Sequence, residues 1–303
     1  AIQGKVRSEP LNRNFSYVES QSHQAKENSD YAVSKVEEID LEIVNVKNFG
    51  AVGDGQTDDT NAIIDAIEGS TDRIVYFPSG EYRIEGEEVT VDVPLRLVGN
   101  GDVTFTGDNQ SLDRLFDVRD DLFIDGITFR NLPKVFDLTN AVAPISNVMI
   151  INCRFINCGS PLYWISSGNA SVNFLRFDGN HMSDCLRGVY LWTHSLEKSI
   201  ISRNVMEEIG DRAILVGKNE SGINVKNTIV SENHISGLRI YGTGKDAEQE
   251  AILVYGDRAI ITNNTIEDVK TAGKEGGEAI YTKCRNAIIA DNVIRDIGDG
   301  GGS

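Results

Sequence analysis

A short sequence motif of apolar and polar residues recurs through the second half of the chain. Each copy ends in an asparagine that stands two residues before a methionine or an isoleucine. The copies are centred on Asn180, Asn204, Asn233, Asn264 and Asn292, with weaker forms at Cys153–Phe155 and Ile127–Phe129. The anchor positions 127, 153, 180, 204, 233, 264 and 292 are separated by 26, 27, 24, 29, 31 and 28 residues, a period typical of stacked coils.

The strand in each copy is apolar on alternate residues, which predicts a short β-strand. A unit of this size cannot bury an apolar face alone, so neighbouring units must stack on one another. The pattern therefore predicts an all-β fold, a parallel β-helix, rather than an all-helical solenoid, which the Val, Ile, Thr and Asn content disfavours. Successive coils would lie about 4.8 Å apart. The asparagines would then form an internal ladder, and asparagine tolerates the left-handed backbone that such corners need.

Two further columns follow the asparagine in most copies. An acidic residue recurs two positions after the inward hydrophobe, and a second strand opens a few residues later. The acidic column is Asp184, Glu208, Asp268 and Asp296, and the second strands open at Gly188, Ala213, Ala251 and Ala279. Recurrent columns of this kind indicate coils that stack in register.

Composition and charge restrict the function. The chain has 303 residues, of which 40% are hydrophobic, and no apolar run is long enough to span a bilayer. No conventional secretory signal is visible, although a mature chain that had lost one would look the same. The formal charge of −17 argues against a nucleic-acid partner. It favours neutral or cationic ligands, or acidic ligands bridged by a metal.

The four cysteines lie at 153, 158, 185 and 284, without a metal-type Cys-x-x-Cys pair. Cys158 and Cys185 occupy equivalent places in adjacent coils, where later copies carry Ile or Val. Buried free thiols are therefore expected. A disulfide between these two is the alternative, and it would need an oxidising compartment.

The chain divides into three regions. In residues 1–45, two heptad series, with Val18, Ala25, Ala32 and Ile39 in one of them, predict a helical leader that forms a thin coiled coil. A polar helix packed on the main domain is the alternative. Residues 46–120 hold a capping helix and the first coils. Residues 121–303 hold the repeats and stop without a capping element, so we expect the coils to continue beyond the chain end.

The second region carries the most specific local motif, which runs from Phe49 through a glycine-rich turn to Ile67. Thr57 or Asp58 can cap a helix whose apolar stripe includes Ile63 and Ile67 and which Gly69 ends. Residues 74–84 are predicted to form a strand, a Pro-Ser-Gly turn and a second strand. A short helix before the first coil would cover the open end of the core.

The turn Asp54–Asp59 places oxygen ligands at alternate positions, as calcium prefers. Its glycine is misplaced for a calcium loop, and the closing Glu is missing. Capping is therefore the expected role of these residues. No cofactor or metal site is predicted, with calcium as the alternative.

The stretch Phe49–Ile67, together with Tyr76–Tyr82, resembles the N-terminal signature of the pectate-lyase-like superfamily. The resemblance implies a right-handed parallel β-helix. The leader Gly4–Phe15 is similar to the start of bacteriophage tailspike and pre-neck appendage proteins. That similarity implies a homotrimer attached to other virion proteins through residues 1–45. It also implies a spike that binds, and often cleaves, host surface glycans such as teichoic acid or capsule.

Glycoside cleavage needs two carboxyl groups on either side of a sugar, about 5 to 9.5 Å apart. Glu250 and Glu278 are the best candidates, because they open second strands where two earlier coils carry Arg187 and Arg212. Lyase chemistry would need an Arg or Lys as base, for which Arg187, Arg212 and Arg239 are available, although no spaced motif selects one of them. Arg212 is the third catalytic candidate. The alternative is that these side chains are solvated charges that discourage pairing at the coil edges.

Sugar binding has aromatic candidates. Tyr163, Tyr190 and Tyr281 share the outward position of the second strand, and Trp192 lies one outward step beyond Tyr190. Outward aromatic side chains make platforms for sugar rings. The alternative is that the same stripe is buried between protomers.

Three functions stay open: a glycan-cleaving tailspike, a glycan-binding spike without catalysis, and a structural virion appendage. A non-viral polysaccharide lyase or glycoside hydrolase is a further alternative. We expect a phage host-recognition appendage that is assembled in the host cytoplasm, resides in the virion and acts at the host cell surface.

Overall fold

The computed structural model describes residues 43–70, 73–108, 112–166, 170–239, 250–271 and 278–299. In these ranges the chain is an all-β parallel solenoid of about nine turns. The fold class predicted from the repeats is therefore confirmed. The predicted helical leader with its coiled coil lies outside the described residues, apart from the last positions of region 1–45, and so does the chain end at 300–303.

Within the described ranges, the regular elements are one 3₁₀ turn, one helix and 25 strands. The 3₁₀ turn is Val46–Phe49 and the helix, α1, is Thr60–Glu68. The strands up to residue 165 are β1 (Ile43–Asn45), β2 (Asp54–Asp58), β3 (Ile74–Arg83), β4 (Val89–Val91), β5 (Leu95–Thr106), β6 (Arg114–Val118), β7 (Leu122–Asp125), β8 (Thr128–Arg130), β9 (Lys134–Asp137), β10 (Ile145–Ile151), β11 (Arg154–Ile156) and β12 (Ser160–Ile165). The later strands are β13 (Val172–Asp178), β14 (His181–Ser183), β15 (Val189–Trp192), β16 (Ser195–Ser202), β17 (Val205–Glu207), β18 (Ile214–Val216), β19 (Asn224–Ser231), β20 (His234–Arg239), β21 (Glu250–Thr262), β22 (Thr265–Thr271), β23 (Glu278–Cys284), β24 (Ala287–Ala290) and β25 (Val293–Asp299).

Every strand pairs in parallel with its equivalents in the coils before and after it, and the pairings define three faces. The first face contains β1, β7, β10, β13, β16, β19 and β24. The second face contains the short strands β8, β11, β14 and β17, followed by β20, β22 and β25. The third face contains β4, β6, β9, β12, β15, β18 and β23. The long strand β21 belongs to the third face at its start and to the first face at its end.

The predicted asparagine ladder runs along the corner between the first and second faces. Asn204 Oδ1 accepts hydrogen bonds from both the backbone N–H and the side-chain amide of Asn180, at 2.9 and 3.1 Å. Asn233, Asn264 and Asn292 repeat this arrangement at 2.9 to 3.0 Å. Each amide also donates to a backbone carbonyl of the preceding coil, as Asn204 does to Phe177 at 3.0 Å. The ladder therefore links five consecutive coils through buried hydrogen bonds.

The left-handed corners lie beside the ladder rather than on it. The residue before each ladder asparagine has a positive φ, as in Arg203 (54°) and Glu232 (58°). The acidic column forms the second left-handed corner, with Asp184 at 56° and Glu208 at 52°. The expectation that the ladder asparagines themselves adopt this conformation is therefore wrong. They are selected for the hydrogen bonds of the side-chain amide.

The core is a continuous stack of inward side chains. Phe105, Phe129, Phe155 and Phe177 follow one another through successive coils, with ring centroids 5.3 to 5.9 Å apart. All four are fully buried. Because equivalent positions contact each other along the axis, each coil covers the apolar face that its neighbour cannot bury alone.

Helix α1 closes one end of this core, as predicted. Ile63 and Ile67 are buried against it, and the helix ends at Gly69. Asp58 Oδ1 accepts the backbone N–H of Thr60 at 3.0 Å, which confirms one of the two predicted capping residues. The carboxylate of Asp59 instead binds the backbone N–H groups of Val52 and Gly53 and so holds the glycine-rich turn against the helix.

The prediction that residues 74–84 form two strands joined by a turn is wrong. Ile74–Arg83 form the single strand β3, whose pairing with β5 shifts register between Pro78 and Gly80. Proline cannot donate to a ladder and is tolerated at such irregularities. A Cβ at Gly80 would lie 2.8 Å from the Gly53 carbonyl oxygen, so only glycine fits. The strand bends here and passes from the first face to the second.

The four cysteines are free, and Cys153, Cys158 and Cys185 are buried, as predicted. None of the helices in the described residues has the length and apolar character needed to cross a membrane.

Asn233→Ala should lower the free energy of unfolding by about 2 to 5 kcal/mol, because it leaves two buried donors of Asn204 without their acceptor. Urea denaturation followed by circular dichroism measures the change. Asn173→Ala, at an exposed position of β13, is the matched control and should change stability by less than about 0.5 kcal/mol. Equal effects of the two substitutions would contradict the ladder.

Asp178→Asn should make the stability less sensitive to acid. Burial raises the pKa of Asp178, but hydrogen bonds from Arg203, Ser202 and Arg176 outweigh it and lower the pKa to about 2. The folded pKa thus lies below the unfolded one, so the stabilisation is present above about pH 4 and is lost as the pH falls through about 2. Urea midpoints measured from pH 2 to 6 should fall less steeply in the variant. Asp65→Asn, on the exposed side of α1, should leave the slope unchanged, and an unchanged slope in Asp178→Asn would refute this assignment.

Candidate functional site

The outward residues of the third face form straight columns along the solenoid axis. Strand register places one column through Asp117, Asp137, Tyr163, Tyr190, Leu215, Leu253 and Tyr281. The three tyrosines of the sequence prediction therefore do share one outward column, with the two leucines between them. The column changes from acidic to aromatic to aliphatic along the axis.

Tyr163 and Tyr190 stack face to face in adjacent coils, with centroids 5.4 Å apart and an interplanar angle of 11°. Lys134 Nζ lies 5.0 Å from the centre of the Tyr163 ring, and the Arg187 guanidinium carbon lies 4.8 Å from that of Tyr190. Lys134 comes from the preceding coil, while Arg187 bonds Asp211 of the following coil at 2.8 Å. The two cations thus bracket the ring pair. Burial raises the pKa of Tyr163, and Arg187 and Lys134 oppose that rise.

This geometry differs from the predicted platform. The ring faces of Tyr163 and Tyr190 contact each other and the two cations, so their edges rather than their faces are presented outward. We call Lys134, Tyr163, Tyr190 and Arg187 the tyrosine row. A groove of about 550 Å³ runs beside it, and Lys134, Asp184, Arg187 and Glu208 are among its lining residues.

Trp192, in the same strand as Tyr190, and Tyr281, further along the third face, belong to a second apolar cluster, against which Tyr190 also packs. They pack against Leu215, Leu253 and Tyr255, which are at most 2% exposed. Trp192 meets Tyr255 edge-on with centroids 6.5 Å apart, and Tyr255 meets Tyr281 at 6.1 Å. Ile223 covers this cluster from outside. The aromatic stripe is therefore partly covered by the chain itself, which neither sequence alternative anticipated.

Ile223 belongs to residues 217–223, a segment between β18 and β19 that we call the strap. Lys218 Nζ donates to the Ser166 carbonyl at 2.7 Å, and Lys283 Nζ donates to Asn219 Oδ1 at 2.9 Å. The strap thus reaches across several coils in both directions. Gly217 starts it at φ 91°, and a Cβ there would lie 2.6 Å from the Tyr255 carbonyl oxygen.

The predicted catalytic residues lie together at the start of the third-face strands. Glu250 and Glu278 are register partners in adjacent strands. Arg212 Nε lies 3.3 Å from Glu250 Oε2, and Glu250 is only 5% exposed whereas Glu278 is exposed. The structure therefore brings all three together, but it gives the two carboxylates different environments. Glu250 is engaged by an arginine, and Glu278 is open to a ligand.

Sequence reasoning missed a buried acidic pair on the third face. Asp117 and Asp137 are at most 1% exposed and are register partners. Arg114 Nη1 lies 3.2 Å from Asp137 Oδ2, and Arg119 Nε donates to Asp117 Oδ2 at 3.0 Å. Their position in the column of Tyr163 was the available signal. These carboxylates anchor the basic side chains at the end of the column that leads to the tyrosine row.

The side chain of Asp54 forms hydrogen bonds within the glycine-rich turn. Asp54 accepts hydrogen bonds from the backbone N–H groups of Gln56 and Thr57 at 2.8 and 2.7 Å. The bond from Thr57 is the main cause that lowers the pKa of Asp54. Within the described ranges, no group of three or more His, Cys, Asp or Glu side chains is arranged to hold a metal ion.

The sequence of residues 43–300 matches the family model described as Rhamnogalacturonase A/epimerase, pectate lyase-like. The chain belongs to this family.

Two relatives come from Azotobacter vinelandii. Alginate lyase 7 is 40% identical over 96 residues, which are 31% of this chain and 11% of the relative. Mannuronan C5-epimerase AlgE2 is 42% identical over 76 residues, 24% of this chain and 8% of the relative. The chain thus matches only about a tenth of the length of these proteins. In structure, the catalytic unit of a GH87 α-1,3-glucanase from Streptomyces thermodiastaticus has a TM-score of 0.54 at 15% identity, over 85% of this chain and 48% of the other, which shows a shared fold.

Glu250→Gln should lower the free energy of unfolding by about 1.5 to 3 kcal/mol, because it removes the charge that a nearly buried arginine engages. Glu278→Gln, one strand away at an exposed position, should change it by less than about 0.5 kcal/mol. Urea denaturation of both variants measures the difference. If the two substitutions cost the same, the pairing of Arg212 with Glu250 carries no stability.

Proposed function

We propose that this chain is the β-helix part of a bacteriophage host-recognition appendage that binds a surface polysaccharide along its third face. The observation that carries this proposal is the tyrosine row beside an open groove. The row presents two phenol edges and two cations in a line along the axis. Hydroxyl, ammonium and guanidinium groups are the donors that fix sugar hydroxyls and acidic substituents in a binding groove.

Polysaccharide is the expected ligand for two reasons. The groove is open to solvent, and its lining includes the basic side chains Lys134 and Arg187 and the acidic side chains Asp113, Asp184 and Glu208. A chain-like ligand with many hydroxyl groups suits such a surface better than a compact apolar molecule, which prefers an enclosed apolar pocket. The names of the relatives, an alginate lyase and a mannuronan epimerase, support the same ligand class.

The phage assignment rests on the leader. Residues 4–15 resemble the start of tailspike and pre-neck appendage proteins. We therefore propose that residues 1–45 attach the protein to other virion proteins, that the protein is a homotrimer, and that it acts at the host cell surface. Teichoic acid and capsule are the proposed glycans.

Glycan cleavage is the second candidate, and the register of Glu250 with Glu278 favours it. Adjacent strands bring equivalent positions to about 4.8 Å, close to the carboxyl separation of about 5 to 5.5 Å in retaining glycosidases. The exposed Glu278 would then contact the sugar, while Arg212 would hold Glu250 in place.

Tryptophan fluorescence offers a direct test of binding. The chain contains two tryptophans, and Trp164 is fully buried in the core while Trp192 is half-buried on the third face. Titration with purified host wall glycans should therefore change the emission and shield Trp192 from acrylamide. Tyr190→Ala should weaken binding about tenfold or more, as loss of a central aromatic contact does.

Phe174→Ala is the matched control, because Phe174 is a half-buried aromatic of the first face with Lys198 Nζ 5.5 Å from its ring centre. It should leave the affinity unchanged. The same mixtures should be examined for shortened or unsaturated products, which decide between binding and cleavage. If no wall glycan alters Trp192, or if both aromatic variants bind alike, the third face is not the binding surface.

A further inference from the structure

The strap forms one wall of a second cavity that the tyrosine row does not reach. This strap cleft has a volume of about 860 Å³ and lies between the strap, the middle of β21 and the end of β23. Its lining includes four basic side chains, Lys218, Lys226, Lys283 and Arg285, and two acidic ones, Glu220 and Asp257. The chain as a whole carries a formal charge of −17. An excess of cations is thus concentrated in one concave site of an acidic protein.

We propose that the strap cleft binds a negatively charged sugar unit, carrying a carboxylate or a phosphate group. This inference rests on the proposed polysaccharide function and adds a second subsite with a defined charge preference. The tyrosine row and the strap cleft would then contact different parts of one glycan chain.

The two acidic side chains of the cleft are already engaged. Asp257 accepts a hydrogen bond from Asn286 Nδ2 at 2.8 Å and lies 3.5 Å from Arg285 Nη2. Glu220 Oε2 lies 2.8 Å from His194 Nε2. Lys226 is shared with Glu197, which lies outside the cleft lining, at 3.3 Å. Arg285 and Lys226 are therefore each paired with a carboxylate, whereas in the described residues the contacts of Lys218 and Lys283 include no carboxylate.

Lys218 and Lys283 are the cations with neutral partners. In the described part of the chain, Lys218 Nζ bonds only the Ser166 carbonyl and Lys283 Nζ only the Asn219 side chain. An ammonium group has three donors, so each lysine keeps two for a ligand. Lys218 is only 7% exposed, and a buried ammonium without an opposite charge is unfavourable. An anion in the cleft would supply the missing charge.

The position of Lys283 completes the site. It is the register partner of Tyr255, so it stands one strand above the buried ring that closes the cleft floor. Arg285 is 81% exposed at the rim, where its charge can attract an anion before contact. The site therefore has two exposed cations, Lys283 and Arg285, and a largely buried lysine, Lys218, in its wall.

The test measures binding of three fluorescent oligomers of equal length to the whole chain. The probes are an oligouronate, an oligomer of glycerol phosphate and a neutral glucan. Wild type should bind at least one of the charged probes more tightly than the glucan, and the preferred probe tells carboxylate from phosphate. Lys283→Gln should weaken binding of that probe about fivefold to tenfold, as loss of a charged hydrogen bond does, and leave the glucan unaffected.

Lys198→Gln is the matched control, since it changes the net charge by the same amount on the first face. Lys218→Met is a second variant, accepted only if its urea midpoint matches wild type. Equal binding of charged and neutral probes, or equal effects of Lys283→Gln and Lys198→Gln, overturns the charged subsite while leaving polysaccharide binding intact. Absence of binding to every probe overturns the subsite and the proposed function together.

Discussion

Buried side-chain amides hold five consecutive coils in register, and the later part of the solenoid depends on them. Neighbouring ladder asparagines are joined by side-chain hydrogen bonds of 2.9 to 3.1 Å, and each is at least 99% buried from Asn180 to Asn264. A coil that slipped by one residue would lose these bonds and would turn its inward side chains to the solvent. The ladder therefore fixes the register of all three faces, and the functional columns inherit it.

On the third face, strand register determines which outward side chains lie next to one another. Equivalent outward residues lie one strand apart, so a substitution in one coil places a new group directly beside the group of the next coil. Through this rule Tyr163 meets Tyr190, and Lys283 stands above Tyr255. A ligand that runs along the axis would meet these groups in order. The strap then divides the face into a groove beside the tyrosine row and a separate cationic cleft.

The periodic features were predictable from the sequence because they repeat. Aligning the copies of the repeated motif predicts the ladder, the tyrosine column and the adjacency of Glu250 and Glu278. The structure contains each of these features. The helix that covers the end of the core was predictable from the glycine-rich turn and the capping residues that precede it. The catalytic role of the two glutamates stays a prediction, because adjacency does not establish chemistry.

The features that the sequence did not predict are those that break the repeat. The strap is an insertion whose contacts reach Ser166 and Lys283, far outside its own coil, and no local pattern encodes such contacts. Asp117 and Asp137 belong to early coils in which the repeated motif is weak. In the described ranges, nine of the thirteen non-glycine residues with positive φ are Asn or Asp, which tolerate this conformation best. Arg203 and Glu232 occupy such corners as well, so residue type marked only some of them.

Hydrogen exchange of asparagine side-chain amides, followed by NMR on protein labelled with ¹⁵N at asparagine, tests the central claim most directly. The account predicts that the Nδ2 protons of Asn180, Asn204, Asn233 and Asn264 exchange far more slowly than those of the exposed Asn173 and Asn219. Exchange of the ladder amides at the rate of the exposed ones would show that the coils are not joined through them, and would contradict the account.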